Sequence, residues 1–268
     1  MIDDQFKSSC AVLIPSCDPY MDLWQPYFTL FFRYWNDCPY PIYLGSNKLS
    51  FNHARVKMLY SDQGTNWANR VREQVEAINA DYIILFLEDF FLQTPVNQKE
   101  IEHCLDFMIK NDGHYLRMIK WPGPNKKIND ENLVGEISAE TPYRVSTQVA
   151  IWKKASLLNL MRPDESIWQF EIDGSKRSDR LYPKGFYGSW KDIMTYKHHV
   201  VERGKWFPWE ARKFAKMNIG CDFTKRPIMS RKEAFLWRKN KLLAWVFRLI
   251  PFNIRKRMGG AIAELPNI

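Results

Sequence analysis

The sequence predicts an α/β fold, a doubly wound and mostly parallel sheet flanked by helices, followed by a basic helical appendage. Three observations predict it. Residues 82–92, Tyr-Ile-Ile-Leu-Phe-Leu-Glu-Asp-Phe-Phe-Leu, form an apolar run without period-2 alternation, broken only by Glu88 and Asp89. Such a run suits a strand buried on both faces of a helix-covered sheet. The elements leading up to it read β-α-β-β-α-β within the first ninety residues. The chain of 268 residues is 46% hydrophobic, enough for one large core.

The elements follow in order. Ser9 to Pro15 is a buried strand that Pro15 ends, and Ser16-Cys-Asp-Pro-Tyr20 is a loop. Asp22 to Trp35 is a helix with Asp22 as N-cap, Pro26 being tolerated only near the first turn. Pro41 to Gly45 and Arg55 to Tyr60 are short strands. Asn66 to Asn79 is a helix, with Trp67, Val71, Val75 and Ile78 at helical spacing. After the acidic turn come an amphipathic helix over 96–111, where His103 and Cys104 read as packing residues, and a strand over 115–121. Pro122 to Glu140, rich in Pro, Gly, Asn and charge, reads as a long loop. Tyr143 to Trp152 reads as a strand, Lys153 to Met161 as a helix, and Glu165 to Ser175 as holding a short helix. Residues 198–206 are a strand or loop, and Glu210 to Met217 is helical.

Charge and cysteines narrow the class. The net charge is +9, and the segment from Arg231 to Ile268 holds nine Lys/Arg against Glu233 and Glu264, a net +7. The remainder is near +2, without a basic stripe or motif for nucleic acid, so no nucleic-acid partner is expected. Five scattered cysteines without a CxxC pair suit a reducing compartment and argue against a disulfide framework or zinc site. No signal peptide and no apolar run of membrane-spanning length is read in the sequence. In the basic segment Phe235, Leu236, Leu242, Leu243, Val246, Phe247 and Ile250 interleave with cations, with Trp237 and Trp245 suited to an interface. This predicts a helix broken at Pro251 that either lies on an anionic membrane surface or packs on the body with its charges solvated. The expected location is cytoplasmic, peripheral on the inner face of the cytoplasmic membrane. Domain limits are expected at 1–229 and 230–268.

Open α/β sheets place ligands at the carboxyl ends of their strands. Glu88 and Asp89 stand at such an end, and two carboxylates taken out of water require partners. The order of elements, together with Gly64-Thr-Asn-Trp-Ala-Asn-Arg70, Leu87-Glu-Asp-Phe90 and Trp168-Gln-Phe-Glu171, resembles bacterial glycosyltransferases of the GT-A type that build cell-surface polysaccharide such as lipopolysaccharide or capsule. The resemblance covers roughly residues 9 to 220.

It implies a nucleotide-sugar donor and a glycan or lipid-linked acceptor. Ser16 and Asp18 would line the base and ribose, Asp18 being otherwise a turn or cap aspartate. Gly64 and Asn66 would let the nucleotide approach a helix N-terminus. Arg70 would reach a phosphate, unless it pairs with Glu73 or Glu76. Glu88-Asp89 takes the place of the Asp-x-Asp motif, whose carboxylates hold Mg2+ or Mn2+ against the diphosphate. Here Phe90 stands where related enzymes carry a further carboxylate, so metal-independent chemistry is equally compatible. Asp89 and His199 are the candidate metal ligands. Without a metal, Arg203 and Lys205 would clamp the diphosphate, with Gly204 allowing backbone approach, and His199 would join them. Glu171 would be the general base of an inverting transfer, with Asp173 in reserve. Trp168 and Gln148 would position the acceptor.

Two other readings share such a half-domain. A sugar-nucleotide nucleotidyltransferase calls for a Gly-rich phosphate loop after the first strand, and Pro15-Ser-Cys-Asp-Pro-Tyr20 has no glycine. A non-catalytic glycan-binding protein would tolerate Phe90.

Overall fold

A computed structural model describes residues 9–61, 66–198 and 200–249. Strands β1 (Cys10–Ile14), β2 (Ile42–Ser46), β3 (Val56–Tyr60), β4 (Tyr82–Leu85), β6 (Tyr115–Arg117), β7 (Lys126–Ile128), β8 (Glu131–Glu136), β9 (Ala150–Lys153) and β10 (Phe186–Ser189) form one sheet, ordered β3-β2-β1-β4-β9-β6-β10-β8-β7. Among these strands only β9 and β8 run against the others. Two further strands, β5 (Phe91–Leu92) and β11 (Tyr196–Lys197), pair with each other antiparallel.

Alternation along the central strands sorts the helices onto two faces. Ala11 and Leu13 of β1, and Ile83 and Leu85 of β4, pack with α2 (Trp67–Ala77), α4 (Lys154–Leu160) and α5 (Ile167–Leu181). On the opposite face Tyr82 reaches α3 (Gln98–Lys110), its hydroxyl 3.5 Å from the Met108 carbonyl. Phe86 packs there against Tyr27 and Phe31 of α1 (Met21–Tyr34). The sequence reading of an α/β fold with a large, mostly parallel sheet flanked by helices holds.

Several local expectations give way. Asp22 lies inside α1 rather than capping it, because a 3-10 turn over Asp18–Tyr20 leads straight into the helix. Pro26 sits beyond the first turn. The central run is two elements: β4 ends at Leu85, Phe90 closes a turn onto the Leu87 carbonyl, and only Phe91 resumes pairing. Residues 122–140 are not a bare loop. They carry the β7–β8 hairpin, turned at Asn129-Asp130, with Asp130 in the left-handed region at φ 59°. Residues 143–149 are not strand, because their backbone N–H groups bond to side chains: Val145 to the Ser175 hydroxyl, Thr147 to the Glu171 carboxylate, Gln148 to the Ser146 hydroxyl and Val149 to the Tyr196 hydroxyl. Helix α5 runs on to Leu181. It starts with a Ser166/Gln169 capping box and is braced by Arg177, which bonds both oxygens of Glu165 at 2.7 Å.

The chain divides into two compact units. The larger comprises the residues up to His198 together with Ile219–Cys221. The smaller holds the hairpin of β12 (Val201–Glu202) and β13 (Lys205–Trp206), α6 (Pro208–Met217) and α7 (Arg231–Leu249). In it Ala234, Trp237, Trp209 and Met229 gather around Phe207. Among the described residues no helix is long and apolar enough to cross a membrane. Ile250 to Ile268, including Pro251, lie outside the described residues.

Candidate functional site

Strand direction gathers the candidates of the larger unit. β1 and β4 are parallel, so Ser16 and Asp18 after the first and Glu88 and Asp89 after the second emerge at one sheet edge. β9 is antiparallel to β4, with Leu85 opposite Ala150, which brings the approach to β9, residues 146–149, to the same edge. This is where open α/β sheets bind ligands.

Glu171, half-buried in the second turn of α5, faces that approach. Its Oε1 accepts hydrogen bonds from the Thr147 N–H at 2.7 Å, the Thr147 hydroxyl at 2.8 Å and the Ser146 hydroxyl at 3.2 Å. Its Oε2 accepts none among the described residues. Three donors fix the plane of the carboxylate and leave its second oxygen available.

Buried groups support this loop from beneath. The Tyr115 hydroxyl donates to the Ser146 carbonyl at 3.2 Å and accepts from Arg117 Nε at 3.0 Å. Arg117 is fully buried and also donates to the carbonyls of Pro122, Tyr143 and Arg144. Tyr143 needs such support, being held at φ 55°.

On the other side of the loop, Gln148 Oε1 accepts from the Tyr196 hydroxyl at 2.6 Å. The Tyr196 ring stacks on Phe90, 4.6 Å between centroids and 23° between planes, and lies 4.5 Å from the His198 ring at a tilt of 36°. Phe90 is thus a packing residue beneath the acidic turn. Glu88 and Asp89 are half-buried in that turn. Burial is the main reason the Tyr196 phenol stands well above its usual pKa, with the Asp89 charge among the smaller causes acting the same way.

Asp18 is heavily engaged. One oxygen accepts from the backbone N–H groups of Asn47, Lys48 and Leu49 at 3.0–3.1 Å and from the Ser46 hydroxyl at 3.2 Å. Burial pushes its carboxyl up, but these bonds together outweigh it and hold the pKa below the usual value. Ser16 is buried and accepts from Trp24 Nε1 at 2.9 Å. Asn66 caps α2, accepting from the Asn69 N–H at 3.1 Å and donating to Asp164 at 2.9 Å. The Ala68 N–H goes to the Glu165 carbonyl, so protein groups occupy donors at this helix start. Arg70 is half-buried in the first turn of α2. Trp168 is 61% exposed, one helical turn before Glu171. Asp173 pairs with Lys176 at 2.9 Å on the surface of α5. Gly64 and His199 lie outside the described residues.

In the smaller unit, Arg203 and Gly204 form the two-residue turn of the β12–β13 hairpin at φ 49° and 74°. Positive φ at both positions explains the glycine. The Arg203 side chain is 72% exposed, and Lys205 pairs with Glu233 at 2.5 Å. Lys205 and the Ser230 capping bonds hold the Glu233 carboxyl at about 2.

The fit to a divalent cation is incomplete. Among the described residues no three His, Cys, Asp or Glu side chains are grouped to hold a metal ion. Glu88 and Asp89 supply two oxygen-donor side chains, and Phe90 adds none.

Sequence reasoning singled out Gln148 and Glu171 but passed over Tyr115, Arg117, Ser146, Thr147 and Tyr196. One signal was present: an arginine inside the apolar strand run Tyr115–Ile119 must find partners in the interior.

No protein-family model matches the chain, and no curated protein matches it. Solved structures similar to it include S. aureus TarS 1-349 in complex with UDP-GlcNAc, at 9% identity and TM-score 0.46 over 70% of this chain and 57% of that one. HddC from Yersinia pseudotuberculosis aligns at 11% identity and TM-score 0.47 over 77% of this chain and 98% of that one. CMP:2-keto-3-deoxy-manno-octonic acid synthetase complexed with CTP aligns at 14% identity and TM-score 0.41, over 68% and 88%. The chain spans less than two thirds of the TarS fragment's length.

Proposed function

We propose that this chain is a glycosyltransferase that moves a sugar from a nucleotide-sugar to a hydroxyl of a glycan or lipid-linked acceptor in surface polysaccharide synthesis, with inversion at the anomeric carbon. The observation that carries the reading is Glu171: one oxygen held by three donors, the other without a partner among the described residues, at the edge where open α/β sheets bind ligands. In this reading the acceptor hydroxyl gives its proton to Glu171 Oε2 as its oxygen bonds to the anomeric carbon. The bond from that carbon to the diphosphate breaks, and its electron pair leaves with the nucleotide. Glu88 and Asp89 would be the ligands of Mg2+ or Mn2+ if the enzyme uses one, the ion then neutralising the diphosphate.

Thermal-shift screening of UDP-, GDP-, CMP- and dTDP-linked sugars tests donor binding, since a ligand specific for the native state raises the melting temperature. Release of nucleoside diphosphate or monophosphate from the stabilising donor, lost in Glu171→Gln with the thermal shift retained, supports the base assignment. Full turnover in Glu171→Gln refutes it. Pyrophosphate release from a nucleoside triphosphate and a sugar phosphate would instead identify a nucleotidyltransferase. Binding without turnover would identify a glycan-binding protein.

We also assign α7 to an anionic membrane surface. Phe235 and Leu236 are exposed there beside Arg231, Lys232, Arg238 and Lys239, while Trp237 turns inward onto Phe207. Flotation of the full chain with phosphatidylglycerol vesicles, abolished in a Phe235→Ser/Leu236→Ser variant, is expected. Equal flotation of both refutes the assignment.

A further inference from the structure

Phe90, Tyr196 and Gln148 form a line of contacts in which the glycosyl-transfer reading gives Gln148 to the acceptor but leaves Phe90 and Tyr196 without a role. Phe90 follows the Glu88-Asp89 turn and stacks on the Tyr196 ring. The Tyr196 hydroxyl accepts the Val149 N–H at 3.3 Å and spends its single proton on Gln148 Oε1 at 2.6 Å. With Oε1 committed, the Gln148 Nε2 must point away from Tyr196, and its two N–H donors take no partner among the described residues. Gln148 is half-buried, beside the Thr147 that orients Glu171. A half-buried amide with one end fixed and two directed donors is arranged to receive an oxygen.

We infer that Tyr196 is a positioning residue: it locks the Gln148 amide so that Nε2 donates to an oxygen of the acceptor sugar, with Phe90 holding the Tyr196 ring in place. The inference rests on the glycosyl-transfer reading for the identity of that oxygen, but not for the lock itself. It gives Phe90 a reason to be aromatic that a ligating carboxylate could not share. It also ties the turn bearing Asp89 to the loop that orients Glu171, so that donor-side and acceptor-side groups share one rigid support.

Tyr196→Phe removes only the hydroxyl and keeps the stack. In the ligand-free full chain, the side-chain amide pair of Gln148, identified by its disappearance in Gln148→Ala, is followed by 15N–1H NMR. It should sit apart from solvent-exposed glutamines in the wild type and move to join them in Tyr196→Phe. An unmoved pair overturns the lock, whether or not the chain has activity. For the acceptor role, the donor that stabilises the chain is used with a panel of p-nitrophenyl glycosides. Tyr196→Phe and Gln148→Ala should each raise the acceptor KM about tenfold, leave the donor thermal shift unchanged, and show no additional loss when combined. Additive losses, or an unchanged acceptor KM, overturn that role. If no nucleotide-sugar binds, the acceptor role falls with the glycosyl-transfer reading, while the NMR result judges the lock separately.

Discussion

The buried guanidinium of Arg117 donates to the carbonyl oxygen of Tyr143, a residue held in the left-handed region at φ 55°. The same guanidinium bonds the carbonyls of Pro122 and Arg144, so one side chain ties two distant backbone segments together through three carbonyls. A lysine cannot reproduce that planar fork. Arg117→Lys is expected to leave carbonyls unsatisfied at about 1–3 kcal/mol each. Urea unfolding should show the destabilisation, and donor turnover should fall with it because the Glu171 donors sit just beyond this segment.

Asp18 gives a pH-dependent prediction. Its folded pKa lies below the unfolded value. Its contribution to stability is therefore present above the unfolded value and is lost as pH falls through the folded one. Asp18→Asn should destabilise the chain at pH 7, and the gap from wild type should close below about pH 4. Thermal melts across pH 3–7 measure it, and a constant gap would contradict the assignment.

Phe170 anchors α5 between Trp67 and Trp152, with ring centroids 5.5 and 6.1 Å away. Phe170→Ala should cost about 3–5 kcal/mol. The loss should appear in the midpoint of chemical denaturation with little change in its slope.

Donor turnover in EDTA tests the Glu88-Asp89 turn: Phe90 contributes no ligand, and turnover that persists excludes an essential divalent ion. Turnover abolished by EDTA and restored by Mn2+ would instead make Glu88 and Asp89 metal ligands.

The sheet and its helices were legible because burial on two faces leaves long apolar runs and helices leave a 3.6 period. Segments organised by side chains were not. Residues 143–149 read as a strand because Val145 and Val149 are apolar, yet their N–H groups bond Ser175 and Tyr196, which lie far along the chain. The β7–β8 hairpin was hidden by its polar composition, although Asn129-Asp130 is a turn signal. Helix α5 was read short because Gly174 and the serines after it weaken helical propensity, a weakness that tertiary bonds such as Arg177–Glu165 override. Glu171 was legible as a carboxylate among aromatics. Its three donors were not, since two adjacent hydroxyl residues carry no mark of where they point.

The two outermost strands of the sheet end it in a similar way. β7 carries exposed Lys126 and Lys127, and β3 carries exposed Lys57. A strand from another chain approaching either border would have to desolvate an ammonium group before gaining its first ladder bond. The nine-stranded sheet is thereby discouraged from growing across molecules, so the protein should tolerate high concentration without fibrous self-association. Replacing the border lysines with valine should remove that tolerance before it alters the fold.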